Sequence, residues 1–121
     1  MEFKYKSENP DVNKRKTECD QILNRFPEKI PIICERDPKS NIKEIDKTKY
    51  LVPQDLTASQ FNFMIRKRIE IPKEQAFFLL VNGKKQMTGD ESMSDIYKKE
   101  KDPEDGFLYI CYASELTWGN N

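Results

Sequence analysis

Hydrophobic residues along this chain recur at helical spacing in some stretches and at alternate positions in others. Residues 3–8 predict a short helical piece anchored by Phe3 and Tyr5. Residues 10–25 predict a polar amphipathic helix with a thin apolar stripe of Val12, Cys19, Ile22, Leu23 and Phe26. Pro10 suits its start and Pro27 its end, because proline fits a first helical turn and disrupts an interior. Residues 29–35 are β-branched and alternating, with Ile30, Ile32 and Cys34 on one side and Ile33 on the other. Turn residues fill 37–41, and a second strand of Lys49, Tyr50, Leu51 and Val52 is closed by Pro53. Proline cannot donate to a ladder, so that strand reads as a sheet edge or a strand end. Thr57 and Gln60 form a capping box for a helix running to Ile69, with Phe61, Met64, Ile65 and Ile69 on one face and Pro72 as its stop. Residues 77–81 read as a buried strand, Asn82-Gly83 as a type I′ turn, and the return strand as running through Met87. Residues 92–99 predict a short helix with Met93, Ile96 and Tyr97 inward. The last element, 107–113, is apolar on both sides, so both its faces must be covered. The helix over 57–69 can cover one face, and the N-terminal helical segment is the candidate left for the other.

After that N-terminal segment the element order is strand, strand, helix, strand, short strand, short helix, strand, which is the β-grasp order of ubiquitin. The expected fold class is α+β: a ubiquitin-like β-grasp with an N-terminal helical extension of one or two helices. The expected organisation is an extension over 1–26 packed on the sheet, a core over 27–113, and a tail over 114–121.

Composition narrows the function classes. Charged residues make up 35% and apolar residues 36% of 121 positions, a charge-rich but globular balance. Lys plus Arg equals Asp plus Glu at 21 each, so nothing draws the whole chain toward nucleic acid or anionic lipid, and no nucleic-acid partner is expected. The Arg66-Lys67-Arg68 run and the acidic positions Asp90, Glu91, Asp95 and 100–105 read mainly as solvated surface. Cys19, Cys34 and Cys111 are odd in number and widely spaced, which fits buried thiols in a reducing compartment. The chain has no histidine, which removes Ser-His and Cys-His nucleophile pairs and His-ligated metal sites. Glycine occurs only at Gly83, Gly89, Gly106 and Gly119, so there is no phosphate-cradling loop. The expectation is a protein that is not an enzyme and carries no cofactor and no metal. Without an apolar leader, a membrane-length run or a lipidation signal of its own, it is expected to be cytoplasmic, and a monomer when soluble.

The block Lys49-Tyr-Leu-Val-Pro-Gln-Asp-Leu-Thr-Ala-Ser-Gln-Phe-Asn-Phe-Met-Ile-Arg-Lys-Arg-Ile69 closely resembles the autophagy ubiquitin-like modifiers, the family of the GABA-receptor-associated protein and microtubule-associated light chain three. Supporting blocks are 26–35, 77–82 and 107–112, and the likeness runs from Phe3 to Gly119. In that family a processing cysteine protease cuts after a glycine near the C-terminus. Activating and conjugating enzymes of a ubiquitin-like pathway then pass its carboxylate to the amine of phosphatidylethanolamine. Gly119 takes that place here, after Trp118, where relatives more often carry Phe or Tyr. A residue without Cβ leaves room for a thiolate to approach the carbonyl in a narrow channel. Spacing alone leaves Gly119 open to a plainer reading, as a flexible position in a tail. The resemblance also implies a membrane address, autophagosomal, through the lipid conjugate.

It implies a docking surface as well. Cargo receptors of such proteins carry aromatic-x-x-aliphatic motifs that add a strand to the free edge at residues 49–52. By resemblance, the aromatic side chain enters a pocket of Glu18, Ile22, Pro31, Ile33, Lys49 and Phe107. The aliphatic one enters a pocket of Tyr50, Val52, Pro53, Leu56, Phe61 and Met64. Lys29, Lys47, Lys49 and Arg68 would meet acidic residues flanking the motif. For Ile22, Val52 and Phe61 the pocket reading overlaps with ordinary core packing. The rival to a covalent modifier is a non-covalent peptide-binding module of the same fold whose C-terminus is never processed.

Overall fold

The computed structural model describes residues 1–115. Two helices, α1 (Lys4–Glu8) and α2 (Val12–Arg25), precede strand β1 (Lys29–Arg36) and strand β2 (Lys49–Pro53). Helix α3 (Ala58–Ile69), strands β3 (Phe78–Val81) and β4 (Lys85–Gln86), helix α4 (Met93–Glu100) and strand β5 (Leu108–Ala113) complete the order. The sheet runs β2-β1-β5-β3-β4, with β1 and β5 parallel and the other neighbours antiparallel. This is the β-grasp arrangement expected from the spacing, with β2 on the edge.

Local chemistry explains where the elements begin and end. The Thr57 hydroxyl accepts from the Gln60 N–H at 3.1 Å while the Thr57 N–H donates to the Gln60 side chain at 2.9 Å, the reciprocal cap expected for α3. Helix α2 starts at Val12, two residues later than proline spacing suggests. Its cap is Asp11, which accepts from the N–H groups of Asn13 and Lys14, and Pro10 lies just outside. Helix α3 ends before Pro72 acts, because Glu70 turns left-handed at φ 58° and returns its N–H to the last turn. Asn82 and Gly83 both hold positive φ, 56° and 72°, as a type I′ turn requires. Pro31 is tolerated in an inner strand because the β1–β5 register starts at Ile32, so only β2 flanks the strand there.

The sheet separates two cores. Ile30, Ile32, Cys34, Leu108, Ile110 and Tyr112 pack with α3 residues Phe61, Ile65 and Ile69 and with Met93 and Ile96 of α4. On the other face Ile33, Leu80, Phe107, Tyr109 and Cys111 pack with Phe3 and Tyr5 of the N-terminal segment and with Cys19, Ile22 and Leu23 of α2. The two-sided β5 is therefore covered as its sequence requires. Helix α1 is too short to persist alone. It is held by Glu35, whose buried carboxylate accepts from the N–H groups of Lys4 and Tyr5 at 2.7 and 2.9 Å. Burial of Phe3 and Tyr5 adds roughly 1.5–3 kcal/mol for each apolar side chain.

Two surface readings are corrected. Asp105 is not part of a solvated acidic end: its side chain is buried and pairs with Arg15 of α2. Arg66 is half-buried, and its guanidinium donates to the carbonyls of Pro72, Lys73 and Gln75, pinning the loop after α3. Lys67 and Arg68 are exposed as expected.

Candidate docking surface

Alternation along β2 divides its side chains between two sites. Tyr50 and Val52 point into the core shared with α3, while Lys49, Leu51 and Pro53 are exposed. Among the described residues no strand lies beyond β2, so its outer backbone groups form an unpaired edge.

Beside this edge is a cavity of about 330 Å³, bounded by α2, β1, β2 and the start of β5. Four of the six residues expected in the first pocket line it: Ile22, Pro31, Lys49 and Phe107. Ile33 does not. It is wholly buried among Cys19, Leu80 and Tyr109: it shares a face with Pro31 but lies two residues further along β1, in the core beneath the N-terminal helices. Glu18 does not line the cavity either but binds the Lys49 ammonium, which does. The wall also includes Lys47, Tyr50 and Leu51. Leu51 retains 39% of its surface, an aliphatic side chain exposed beside a cavity. The alternation of β2 carried that signal, since a strand with Tyr50 and Val52 inward must turn Leu51 outward.

Glu18 holds the rim together. It accepts from the Lys49 ammonium and from the Tyr5 hydroxyl, and the Lys49 nitrogen sits 5.1 Å from the Tyr5 ring centroid. Partial burial opposes the Glu18 charge, but hydrogen bonds from Lys49 and Tyr5 outweigh it and hold the carboxyl below its ordinary value. Burial, followed by the Glu18 bond, pushes the Tyr5 phenol well above its ordinary range, so it stays a donor. Tyr5 was not among the residues singled out for this site. Its partners lie 13 and 44 positions away, beyond the reach of local spacing.

The residues expected in the second pocket also converge, largely as core. Tyr50, Val52 and Phe61 are buried together, with the Tyr50 and Phe61 rings edge-on at 6.2 Å, and Leu56 and Met64 pack half-buried against them. Pro53 stays exposed at the end of β2. The Tyr50 hydroxyl donates to the Lys47 carbonyl at 2.6 Å, so this ring is a structural wall. Among the charge contacts, Lys47 is exposed with its ammonium 5.2 Å from the Tyr50 ring centroid, and Lys29 is half-buried at the start of β1. Arg68 donates to Asp46 at 3.0 Å, so it is already engaged. Gly119 and Trp118 lie outside the described residues. No helix among the described residues is long and apolar enough to cross a membrane.

A family model described as "Autophagy protein Atg8 ubiquitin like" matches residues 14–119. The chain is similar to Autophagy-related protein 8 of Kluyveromyces lactis, 50% identical over 121 residues, which covers 100% of this chain and 95% of the relative. It is 51% identical over 119 residues to Autophagy-related protein 8 of Saccharomyces cerevisiae strain YJM789, covering 98% of this chain and 99% of the relative. For Autophagy-related protein 8 of Coccidioides immitis strain RS the identity is 48% over 120 residues, with 99% and 100% covered.

Proposed function

Since the chain belongs to the Atg8 family of autophagy ubiquitin-like proteins, we propose that it is a covalent modifier, joined through Gly119 to phosphatidylethanolamine on autophagosomal membranes. The observation that carries this reading is the family match, which ends at Gly119. A cysteine protease exposes the Gly119 carboxylate by removing Asn120 and Asn121. An activating enzyme joins that carboxylate to the AMP of a nucleoside triphosphate with release of pyrophosphate, and its thiol displaces AMP to form a thioester. A conjugating-enzyme thiol takes over the acyl group, and the lipid amine displaces that thiol to form an amide. The modifier's own residues supply an acyl group and a recognition surface rather than catalysis. The two acyl chains it gains favour membrane anchoring by about 0.8 kcal/mol per buried CH₂, enough where one chain is marginal.

The second half of the proposal is cargo capture. A peptide strand adds to the free edge of β2, its aromatic side chain filling the cavity beside Ile22, Pro31 and Phe107. Its aliphatic side chain, three positions on, packs near Leu56 and Met64, the half-buried members of the second cluster. Leu51 separates the two sites and contacts the incoming chain. Lys47 and Lys49 supply charge for acidic flanking residues.

Intact-mass measurement in a cell extract tests the conjugation. The expected result is loss of both asparagines followed by a lipid-sized gain, with the gain abolished by Gly119→Ala. An unchanged C-terminus under starvation would overturn it in favour of a non-covalent binding module.

A further inference from the structure

The Tyr5 side chain stands behind the docking cavity and is joined to two parts of it. Its ring packs edge-on against Phe107, a wall of the cavity, with centroids 5.4 Å apart. Its hydroxyl donates to Glu18, the same carboxylate that holds the Lys49 ammonium at the cavity rim. Glu18 is partly buried, with 35% of its side chain exposed. A ligand carboxylate that takes Lys49 must take it from Glu18. The protein donor then left on Glu18 is the Tyr5 hydroxyl.

We propose that Tyr5 is a positioning residue that sets how readily the first pocket accepts peptides with an acidic residue beside their aromatic side chain. The proposal rests on the peptide-docking reading above. The physical reason is the asymmetry of hydrogen bonding. A partly buried carboxylate stripped of its donors is costly, whereas one that keeps a donor loses little when it gives up the second. With the Tyr5 hydroxyl in place, Glu18 can release Lys49 to the ligand. Without it, Lys49 is retained and an acidic flank gains less. A peptide with a neutral flank makes no demand on Lys49 and is indifferent to Tyr5.

Helix α1 thereby enters motif selectivity without touching the peptide. The position of Tyr5 is fixed by its own N–H and that of Lys4 on Glu35, and by the tilted packing of Phe3 and Tyr5 on Tyr109. The docked N-terminal segment is what keeps the hydroxyl within reach of Glu18.

The test uses the full chain and two synthetic Trp-x-x-Leu peptides, one preceded by a run of glutamates and the other by serines. Affinities are measured by titration calorimetry. Tyr5→Phe, which keeps the ring and its packing, should weaken the glutamate peptide by roughly three- to tenfold. The serine peptide should stay within about twofold. In a Glu18→Gln background Tyr5→Phe should change neither affinity. Glu18→Gln alone, with Lys49 released, should widen the preference for the glutamate peptide, a reading that survives if Tyr5→Phe does not fold. Equal weakening of both peptides, no weakening of either, or an unchanged preference in Glu18→Gln would overturn the role of Tyr5 while leaving peptide docking intact. If the unmodified chain binds neither peptide, the docking reading itself falls, and this inference with it.

Discussion

The Arg15 guanidinium on α2 donates from Nε to Asp105 Oδ2 at 2.8 Å, and the two side chains are 6% and 0% exposed. Asp105 also accepts from the Tyr109 hydroxyl and the Phe107 N–H, and Arg15 reaches the Asn9 carbonyl at 2.6 Å. One buried pair thus ties the α1–α2 junction to the start of β5. A buried ion pair adds little beyond an apolar replacement, but breaking it leaves an uncompensated charge. Asp105→Ala should therefore lower stability by about 3–5 kcal/mol in urea unfolding. The double variant Arg15→Met/Asp105→Asn should cost clearly less than the sum of its singles, because no charge is stranded and the asparagine oxygen still serves the Phe107 N–H.

Leu51 offers a cleaner probe of the docking surface than the aromatic residue next to it. Tyr50 is a core wall, so Tyr50→Ala should unfold the domain and report nothing about peptides. Leu51 is exposed and packs against no core. Leu51→Glu should weaken a Trp-x-x-Leu peptide by about tenfold or more, the loss of roughly 1.5 kcal/mol of apolar burial. Its unfolding midpoint should match that of the unaltered chain. Retained affinity would place the peptide elsewhere.

Acid should loosen the N-terminal segment first. Asp102 and Glu18 both anchor it, and both carboxyls lie below their ordinary values of 3.8 and 4.5. At Asp102 burial opposes the charge, and the Lys6 ammonium with the N–H groups of Asp105 and Glu104 overcomes it. A carboxyl whose folded pKa is depressed contributes stability that is whole above the unfolded value and is lost as pH falls through the folded one. The stability difference between the unaltered chain and Asp102→Asn should stay constant from neutral pH to about 5 and shrink below about 4. A difference that grew on acidification would contradict the assignment.

The three cysteines should be silent in the native state. Burial pushes Cys19 up to about 11 and Cys111 up to about 12 from an ordinary 9.0, and Cys34 higher still. Only thiolate reacts with iodoacetamide. Intact mass should show no adduct on native protein at pH 8 and three adducts in denaturant. Adducts on native protein would mean that one face of the sheet opens.

Much of the fold could be read from residue spacing because it is governed by local rules. The capping box of Thr57 and Gln60, the alternation of Ile30, Ile32 and Cys34 against Ile33, and the two-sided apolar run of β5 each dictate their structure without distant partners. Pro53 leaves β2 as a sheet edge or a strand end, and the strand order makes it the edge. The site was less legible. Ile33 and Ile22 lie on the same side of the sheet, and only tertiary depth puts one beneath the helices and the other at a cavity. Asp105 looks like its acidic neighbours until Arg15, 90 positions earlier, folds onto it. The Tyr5–Glu18–Lys49 cluster joins three elements, and its members show no pattern in sequence.

The order of the sheet has a consequence for how the chain is made. Strand β5 is made after the other four strands of the sheet, yet it sits between β1 and β3. Until it emerges, the β1–β2 hairpin and the β3–β4 hairpin share no ladder, and both cores lack the strand they have in common. Pairs such as Ile32 with Leu108 close only at high sequence separation, which slows folding. Before β5 joins, strands β1–β2 and β3–β4 have no ladder between them, so any early pairing leaves open inner edges of the kind that make partly made domains prone to aggregate. The sheet is complete only when β5 slots into the gap between β1 and β3 and gives the two cores their common strand.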